Sequence, residues 1–270
     1  MNKNSKIALI SDIHFGVRNN SEDYIEIIEK FFYVTLPNVL KENNIRDLRI
    51  LGDLVEYRNT VNIRTLNSIL KVFRWYATKM PNVKIKILTG NHDIYYHNRL
   101  DISILETLKE YNNITVIDKV TEETINGKKI IMYPWLIEGS EADIKFKSIQ
   151  KSDDVYDLCL GHFEINGFEM HRGQNCDNGI DKGAFKNYKR VFTGHFHLRN
   201  TSKDGKITYL GCPYQLDWGD YGDIKGIHIF DVDSGETTFV ENEDSPRFIK
   251  ITIDDILEKK KDKIQQVKNN

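Results

Sequence analysis

Five short apolar runs in this 270-residue chain each break off into a polar cluster. KIALI runs into Ser11-Asp12-Ile13-His14, LRIL into Gly52-Asp53, and KIKIL into Thr89-Gly90-Asn91-His92-Asp93. YDLCL ends at Gly161-His162, and RVFT at Gly194-His195-Phe196-His197. Apolar runs of this length, bounded by Gly or Asp, read as strands buried on both faces. Parallel strands of an α/β sheet share the edge at their C-terminal ends, where sites are usually built. A fold containing these runs therefore brings Asp, Asn and His to one edge from five separate places in the chain.

Helical spacing fills the gaps between the early runs. Residues 22–43 carry Tyr24, Ile27, Ile28, Phe31 and Val34 three or four apart, with Pro37 as a kink or stop. Residues 63–80 carry Ile63, Leu66, Ile69, Leu70, Phe73, Tyr76 and Met80, and 101–111 is a shorter helical candidate. This βαβαβ order predicts a layered α/β domain. From residue 114 onward the texture is strand-rich. NITVID, KKIIMYPW, KITYLG, GIHIF and ETTFV are separated by turns such as Asn126-Gly127, Asp204-Gly205 and Ser234-Gly235. A second sheet packed on the first is expected. The tail DDILEKKKDKIQQVKNN reads as a charged helix with few apolar anchors, a linker or chain end.

Each polar cluster alone has an ordinary explanation. Asp12 and His14 lie two apart, on one face of extended chain, as do His195 and His197. Asp53 reads equally as a helix cap, Asn91 as a turn residue and His162 as a satisfied core histidine. One metal centre accounts for all of them together. Carboxylate, amide and imidazole without thiolate suit Mn²⁺, Fe²⁺ or Zn²⁺. Two ions held about 3.5–4 Å apart need a shared carboxylate, for which Asp53 is the natural choice.

Composition sets the surrounding limits. A 40% hydrophobic, 29% charged chain is an ordinary globular one, long enough for a substantial core. The net charge of −2 gives no global basic field to draw nucleic acid, although a metal pair would add local positive charge. Cys159, Cys176 and Cys212 are scattered, which speaks against a disulfide framework and for a reducing, cytoplasmic setting. The N-terminal apolar run is too short for a signal-peptide core, and no stretch approaches a membrane span.

Taken in order over residues 12–197, D-x-H, GD, GNHD, GH and G-H-x-H resemble the calcineurin-like binuclear metallophosphoesterase superfamily. The resemblance implies an α/β fold, a four-layer αββα sandwich of two packed mixed sheets flanked by helices. It implies two divalent ions, manganese foremost, with Asp12, His14, Asp53 and His197 on one and Asp53, Asn91, His162 and His195 on the other. It also implies that His92 protonates the leaving oxygen, that Asp93 orients the His92 imidazole, and that a two-metal-activated hydroxide hydrolyses a phosphoester.

GHFEINGF at 161–168, VFTGHFH at 191–197, YLGCPYQLDWGD at 209–220 and GDLVEYRNTVNIRTLN at 52–67 resemble the DNA-repair exonuclease branch. That branch holds the SbcD, meiotic-recombination and T-even phage recombination subunits, and the phage type looks closest. The resemblance implies exonuclease and single-strand endonuclease action on DNA in double-strand-break repair and recombination. It further implies homodimerisation through the helix at 63–80 and a coiled-coil ABC-type ATPase partner. Members of the branch continue into a capping domain and an ATPase-docking segment. The expectation here is a domain over 1–245, a linker or helical tail over 246–270, and no capping domain. The branch places His or Asp near Glu56, so Glu56 is read as a substrate neighbour, a residue behind the ligands, or a helix cap.

Val72 and Trp75 fall on a separate face of the helix at 63–80, as a dimer anchor or a second buried face. Arg58, Tyr95, Tyr96, His97 and Arg99 are candidate DNA contacts through stacking and phosphate binding, or simply packed loop residues. Arg64, Lys186, Lys189, Arg190 and Arg199 are candidate phosphate contacts. Two other functions fit the same fold: a small-molecule phosphodiesterase or phosphomonoesterase, and a noncatalytic scaffold. The complete ligand set argues against the scaffold.

Overall fold

The run Lys6–Ile10 forms β1, inside a six-stranded sheet, in a computed structural model that describes residues 5–254. β2 (Asp47–Ile50), β3 (Lys84–Leu88) and β4 (Ile114–Ile117) follow it in parallel, with Ala8 opposite Leu48, Leu48 opposite Ile85 and Ile85 opposite Ile114. β13 (Gly226–Asp231) returns antiparallel on the other side of β1, and β14 (Thr237–Glu241) forms that edge. The second six-stranded sheet has the order β11-β12-β10-β7-β6-β5. Its strands are β5 (Thr121–Ile125), β6 (Lys128–Met132), β7 (Tyr156–His162), β10 (Tyr188–Gly194), β11 (Asn200–Thr201) and β12 (Ile207–Tyr209). The four inner strands are parallel and the two outer ones antiparallel. Between β7 and β10, β8 (Glu169–His171) and β9 (Gln174–Asn175) make a small hairpin.

Strand alternation decides the layers. Ile7 and Leu9 point into a core shared with Leu51, Leu88, Ile130, Met132, Leu158, Leu160 and Phe192, between the two sheets. Ala8 and Ile10 point the other way, into a core with Leu48, Ile50, Ile85, Ile87 and the apolar faces of the early helices. The helix Glu141–Ile149 covers the outer face of the second sheet, where Phe146 and Ile149 meet Ile131, Cys159 and Val191. A residue and its neighbour on a strand thus face different cores, as a period of two requires. The result is the expected αββα sandwich.

Two local expectations resolve differently. Pro37 does not end its segment: helix Glu22–Lys30 passes through a π turn, Phe31–Thr35, into helix Leu36–Glu42, with Pro37 in the first turn of the last piece. The wider π turn frees a backbone carbonyl, and a first-turn proline lacks an N–H that had no helical partner. The candidate helix at 101–111 is only a 3₁₀ turn over Ile104–Leu108. In the helix Ile63–Lys79, Val72 lies in the core and Trp75 packs edge-on against Tyr33 and Tyr76, at 5.5 and 5.1 Å between ring centres. Val72 thus takes the buried reading of this face, and Trp75 is half-buried against the same core.

A charged residue of β2 is buried between the sheets. Arg49 is fully buried; its guanidinium meets the Asp47 carboxylate at 2.6 and 2.7 Å and Glu123 at 2.6 Å, and Lys86 also pairs with Glu123. Asp47 and Arg49 are on β2, Lys86 on β3 and Glu123 on β5, so the network ties one sheet to the other. All three cysteines are free and buried. No helix among the described residues is long and apolar enough to cross a membrane. The predicted tail helix lies outside the described residues.

Candidate metal centre

β1, β2 and β3 point the same way, as do β7 and β10, and the polar residues that follow them meet across the sandwich. The chain leaves the strands through left-handed turns. Asp12, His14, Asp53 and His195 have φ of 56°, 51°, 54° and 92°. Each such non-glycine residue costs about 1–3 kcal/mol and persists only where its surroundings enforce it. Here the enforcement is a set of cross-strand bonds: Asp12 N–H to Gly52 O at 3.1 Å, His14 N–H to Asp53 O at 3.1 Å, and His195 N–H to Asp12 Oδ1 at 3.0 Å. Two glycines allow the loops to close. A Cβ at Gly90 would collide with the Asp53 carboxylate, and one at Gly194 with the Ser11 hydroxyl.

All seven expected ligands converge. Asp12, His14 and His197 offer donor atoms within 4.8 Å of one another, and so do Asp53, His162 and His195. The Asn91 amide oxygen is 3.0 Å from both His162 Nε2 and His195 Nδ1. Asp53 Oδ2 stands between the groups, 3.2 Å from His162 Nε2 and 3.9 Å from His14 Nε2.

The donors fit divalent cations. The Nε2 atoms of His14 and His197 face each other at 3.0 Å, where two lone pairs repel unless a proton or cation stands between them. Asp12, Asp53 and Asp93 are all buried, and among the described residues no lysine or arginine pairs with them. Asp12 and Asp53, so placed, draw positive charge from imidazolium or from a bound cation, while backbone amides serve Asp93.

Electrostatics sort the ligands. Burial, with the charge of Asp53 beside them, pushes the Asp12 and Asp93 carboxyls up to about 6. Burial works the same way on Asp53, but the surrounding imidazoles, His162 first, hold it well below the usual carboxylate range. Burial opposes charge on His162, yet Asp53 holds its pKa up at about 9. Burial and neighbouring imidazoles push His195 and His197 down to about 3, so both present lone pairs at neutral pH.

A pH dependence follows. In the metal-free protein the charged His162 contributes stability that is complete below pH about 6.5 and is lost as the pH rises towards about 9. Melting curves in excess chelator should fall across that window, and His162→Gln should flatten the fall. Metal binding there must expel the His162 proton, so affinity rises with pH, and calorimetry in buffers of different ionisation enthalpy should register the release.

His92 sits beside the ligands rather than among them. Its backbone N–H donates to Asp53 Oδ1 at 2.9 Å, and its ring centre is 5.1 Å from that of His14. Nδ1 lies 2.6 Å from the Glu56 carbonyl, and Nε2 has no hydrogen-bond partner among the described residues. Burial lowers its pKa, and the nearby Asp53 only partly restores it.

Asp93 does not orient His92. Its carboxylate accepts the N–H groups of Gly90, Asp53 and Leu54 at 2.8, 3.0 and 2.8 Å, with Val55 at 3.3 Å. Buried amides left unpaired where β2 ends demand an acceptor, and Asp93 supplies it; the Glu56 carbonyl holds His92 instead. The Glu56 side chain lies behind a ligand, its Oε2 2.8 Å from His14 Nδ1. It is not a helix cap, since Asn62 caps the helix Ile63–Lys79. Glu56→Ala is expected to weaken metal affinity about 10–100-fold, the usual cost of losing a partner behind a metal-binding histidine. Metal titration checks this, and the main-chain grip on His92 is retained.

Other supporting residues were not read from the sequence. The Leu51 carbonyl lies 2.6 Å from His162 Nδ1, and Trp135 packs on His195 at 5.0 Å between rings. Lys225 donates to the His197 carbonyl at 2.6 Å while pairing with Asp220 at 2.6 Å and Asp223 at 2.9 Å. Asp220 falls in the quoted YLGCPYQLDWGD string, but Lys225, just before β13, carried no local signal.

Arg58 contacts His97, joining the loops after β2 and β3, while Tyr95 and Tyr96 are exposed and Arg99 lies 3.8 Å from the centre of the Tyr96 ring. Arg64 pairs with Glu22 and Lys189 with Asp157. Arg190 and Arg199 rest on Phe192 and Phe239.

Comparison with known proteins adds relatives to this geometry. Exonuclease subunit 1 of Enterobacteria phage T4 is 29% identical over 238 residues, 88% of this chain and 68% of that protein. The predicted phosphoesterase 078R of Invertebrate iridescent virus 3 is 26% identical over 217 residues, 79% of this chain and 58% of that protein. The Calcineurin-like phosphoesterase family model matches residues 5–199, which include all seven convergent ligands. With that match over most of its length, the chain belongs to the calcineurin-like phosphoesterase family.

Proposed function

We propose that this chain is a metal-dependent DNA nuclease of the recombination and repair type, hydrolysing phosphodiesters with two divalent ions, manganese foremost. The observation that carries it is the convergence of Asp12, His14, Asp53, Asn91, His162, His195 and His197 around a single anionic carboxylate, Asp53, with His92 alongside. The similarity to a phage exonuclease subunit supports DNA as the substrate. Two bound divalent ions supply Lewis acidity toward the phosphoryl oxygens and lower the pKa of water.

The chain's residues do the rest. Asp53 stays anionic between the two ligand groups. Glu56 and Lys225 hold His14 and the His197 main chain in place. His92, fixed at Nδ1 by the Glu56 carbonyl, passes a proton from Nε2 to the departing sugar oxygen. A coiled-coil ABC-type ATPase and a second copy of the chain are the partners this reading entails. The free, buried cysteines suit a reducing, intracellular setting.

The test is hydrolysis by the Mn²⁺-loaded chain of single-stranded DNA, duplex ends and a chromogenic phosphodiester. Cleavage of the chromogenic ester with DNA left intact would favour a small-molecule esterase. That second reading has one observation in its favour, a cavity of about 650 Å³ beside His162 and Trp135. Metal binding without any hydrolysis would leave a scaffold. Asp53→Asn keeps the side chain's shape but removes the central charge; it should abolish binding of both ions, as metal analysis would report.

A further inference from the structure

Away from the metal centre, a groove of about 730 Å³ runs between the loop carrying Gly167 and Lys182 and the β11–β12 hairpin. Lys182, Lys186, Lys203 and Lys206 line it. None of the four pairs with a carboxylate among the described residues. Lys182 reaches the Gly167 carbonyl at 3.3 Å and stands 4.4 Å over the Phe168 ring, and Lys206 reaches the Lys186 carbonyl at 3.2 Å. The single acid of the groove, Asp204, is occupied by the Ser202 hydroxyl at 2.5 Å and the Lys206 N–H at 3.1 Å. A chain of net charge −2 thus gathers four ammonium groups and one carboxylate, Asp204, in one concavity.

Buried rings connect the groove's wall with the metal centre. Phe168 meets Tyr209 at 4.9 Å, Tyr209 stacks on Phe196 at 4.6 Å, and Phe196 meets the ligand His195 at 5.1 Å between ring centres. Its far end, at Lys186, precedes β10, whose seven residues end just before His195. At about 3.3 Å per residue β10 spans roughly 20 Å. That is on the order of six phosphate spacings of a B-form strand, about 3.4 Å each.

We propose that this lysine groove carries the phosphodiester backbone of a nucleic acid whose scissile bond lies at the metal centre. The inference rests on the nuclease reading and adds where the uncleaved part of the substrate lies. Flexible ammonium groups around a shallow concavity suit a repeating polyanion, because each neutralises one phosphate as a point charge without reading a base. Binding of this kind releases counterions, so affinity falls with salt by about 0.7 log units per log unit for each phosphate contacted on a single strand.

The experiment measures binding of fluorescent single-stranded and duplex oligonucleotides of 4 to 20 nucleotides over a salt series, with Ca²⁺ to limit turnover. The wild-type chain is compared with Lys182→Gln/Lys186→Gln/Lys203→Gln/Lys206→Gln and with the matching fourfold Lys→Arg variant. The Gln variant should bind the long oligonucleotides at least 10-fold more weakly at low salt, with the salt slope shallower by about 2–3. The Arg variant should restore both, and the 4-mers should not distinguish the proteins. Whichever of single strand and duplex shows the larger loss is the form the groove carries. If the Gln variant melts abnormally, the Lys182→Gln and Lys203→Gln single variants replace it, each lowering the slope by about 0.7.

An unchanged slope overturns the proposal, as does equal loss on 4-mers and 20-mers. Polyglutamate competing as well as DNA would overturn it in favour of an acidic polypeptide. Hydrolysis followed in parallel separates the two readings: DNA cleavage with an unaltered slope refutes the groove alone, and a lowered slope without hydrolysis refutes the nuclease reading alone.

Discussion

His92→Ala lowers turnover of DNA by about 10²–10⁴-fold and leaves the metal content of the protein unchanged. The expectation follows from position. His92 shares a loop with Asn91, yet its ring is held by a main-chain carbonyl at Nδ1 and has no hydrogen-bond partner at Nε2 among the described residues. A group so placed can deliver a proton without being needed to hold an ion. The loss should depend on the leaving group. A nitrophenolate leaves without protonation, so a chromogenic diester should lose much less than DNA, whose departing alkoxide needs the proton. An equal loss on both substrates would show that His92 acts on the ligands rather than on the leaving oxygen. Loss of bound metal in His92→Ala would refute the role outright.

Arg49→Ala destabilises the fold by about 3–5 kcal/mol, the range for breaking a buried ion pair by removing one partner. Its guanidinium is buried between the sheets, and its removal leaves Asp47 and Glu123 facing the gap with only Lys86 in reach of Glu123. Asp47 and Glu123 belong to different sheets, so the cost is paid by the contact between the layers. The variant combining Arg49→Met, Asp47→Asn and Glu123→Gln removes the charges together and should recover much of the loss. Urea unfolding measures both. A single variant within about 1 kcal/mol of wild type would show that water reaches this network.

The legible part of the molecule is its strand-end chemistry. Each candidate ligand ends its strand or follows it within a few residues, so Asp12, Asp53, Asn91, His162 and His195 could be found by reading where apolar runs stop. The layering was legible in outline, because continuous apolar runs such as Ile7–Ile10 mark strands buried on both faces, while the four-layer order came with the family resemblance. Pro37 misled because a proline signals a helix break only when its missing N–H would have been used, and the preceding π turn removes that need. The sequence leaves Trp75 open between a dimer anchor and a second buried face. A second apolar stripe on a helix does not say whether the surface that covers it belongs to the same chain, and here Tyr33 covers it.

The amino-acid order alone determined which side chains can bind metal and that they gather at one edge, since both follow from local spacing and the shared direction of parallel strands. Only the tertiary structure decided what supports them. Asp93 faces backbone amides instead of His92, Glu56 reaches His14, and Lys225 grips the His197 carbonyl from just before a strand that returns late in the chain. These contacts join segments far apart in sequence, and a side chain's partner across a sandwich is set by how two sheets pack, which no run of neighbouring residues records.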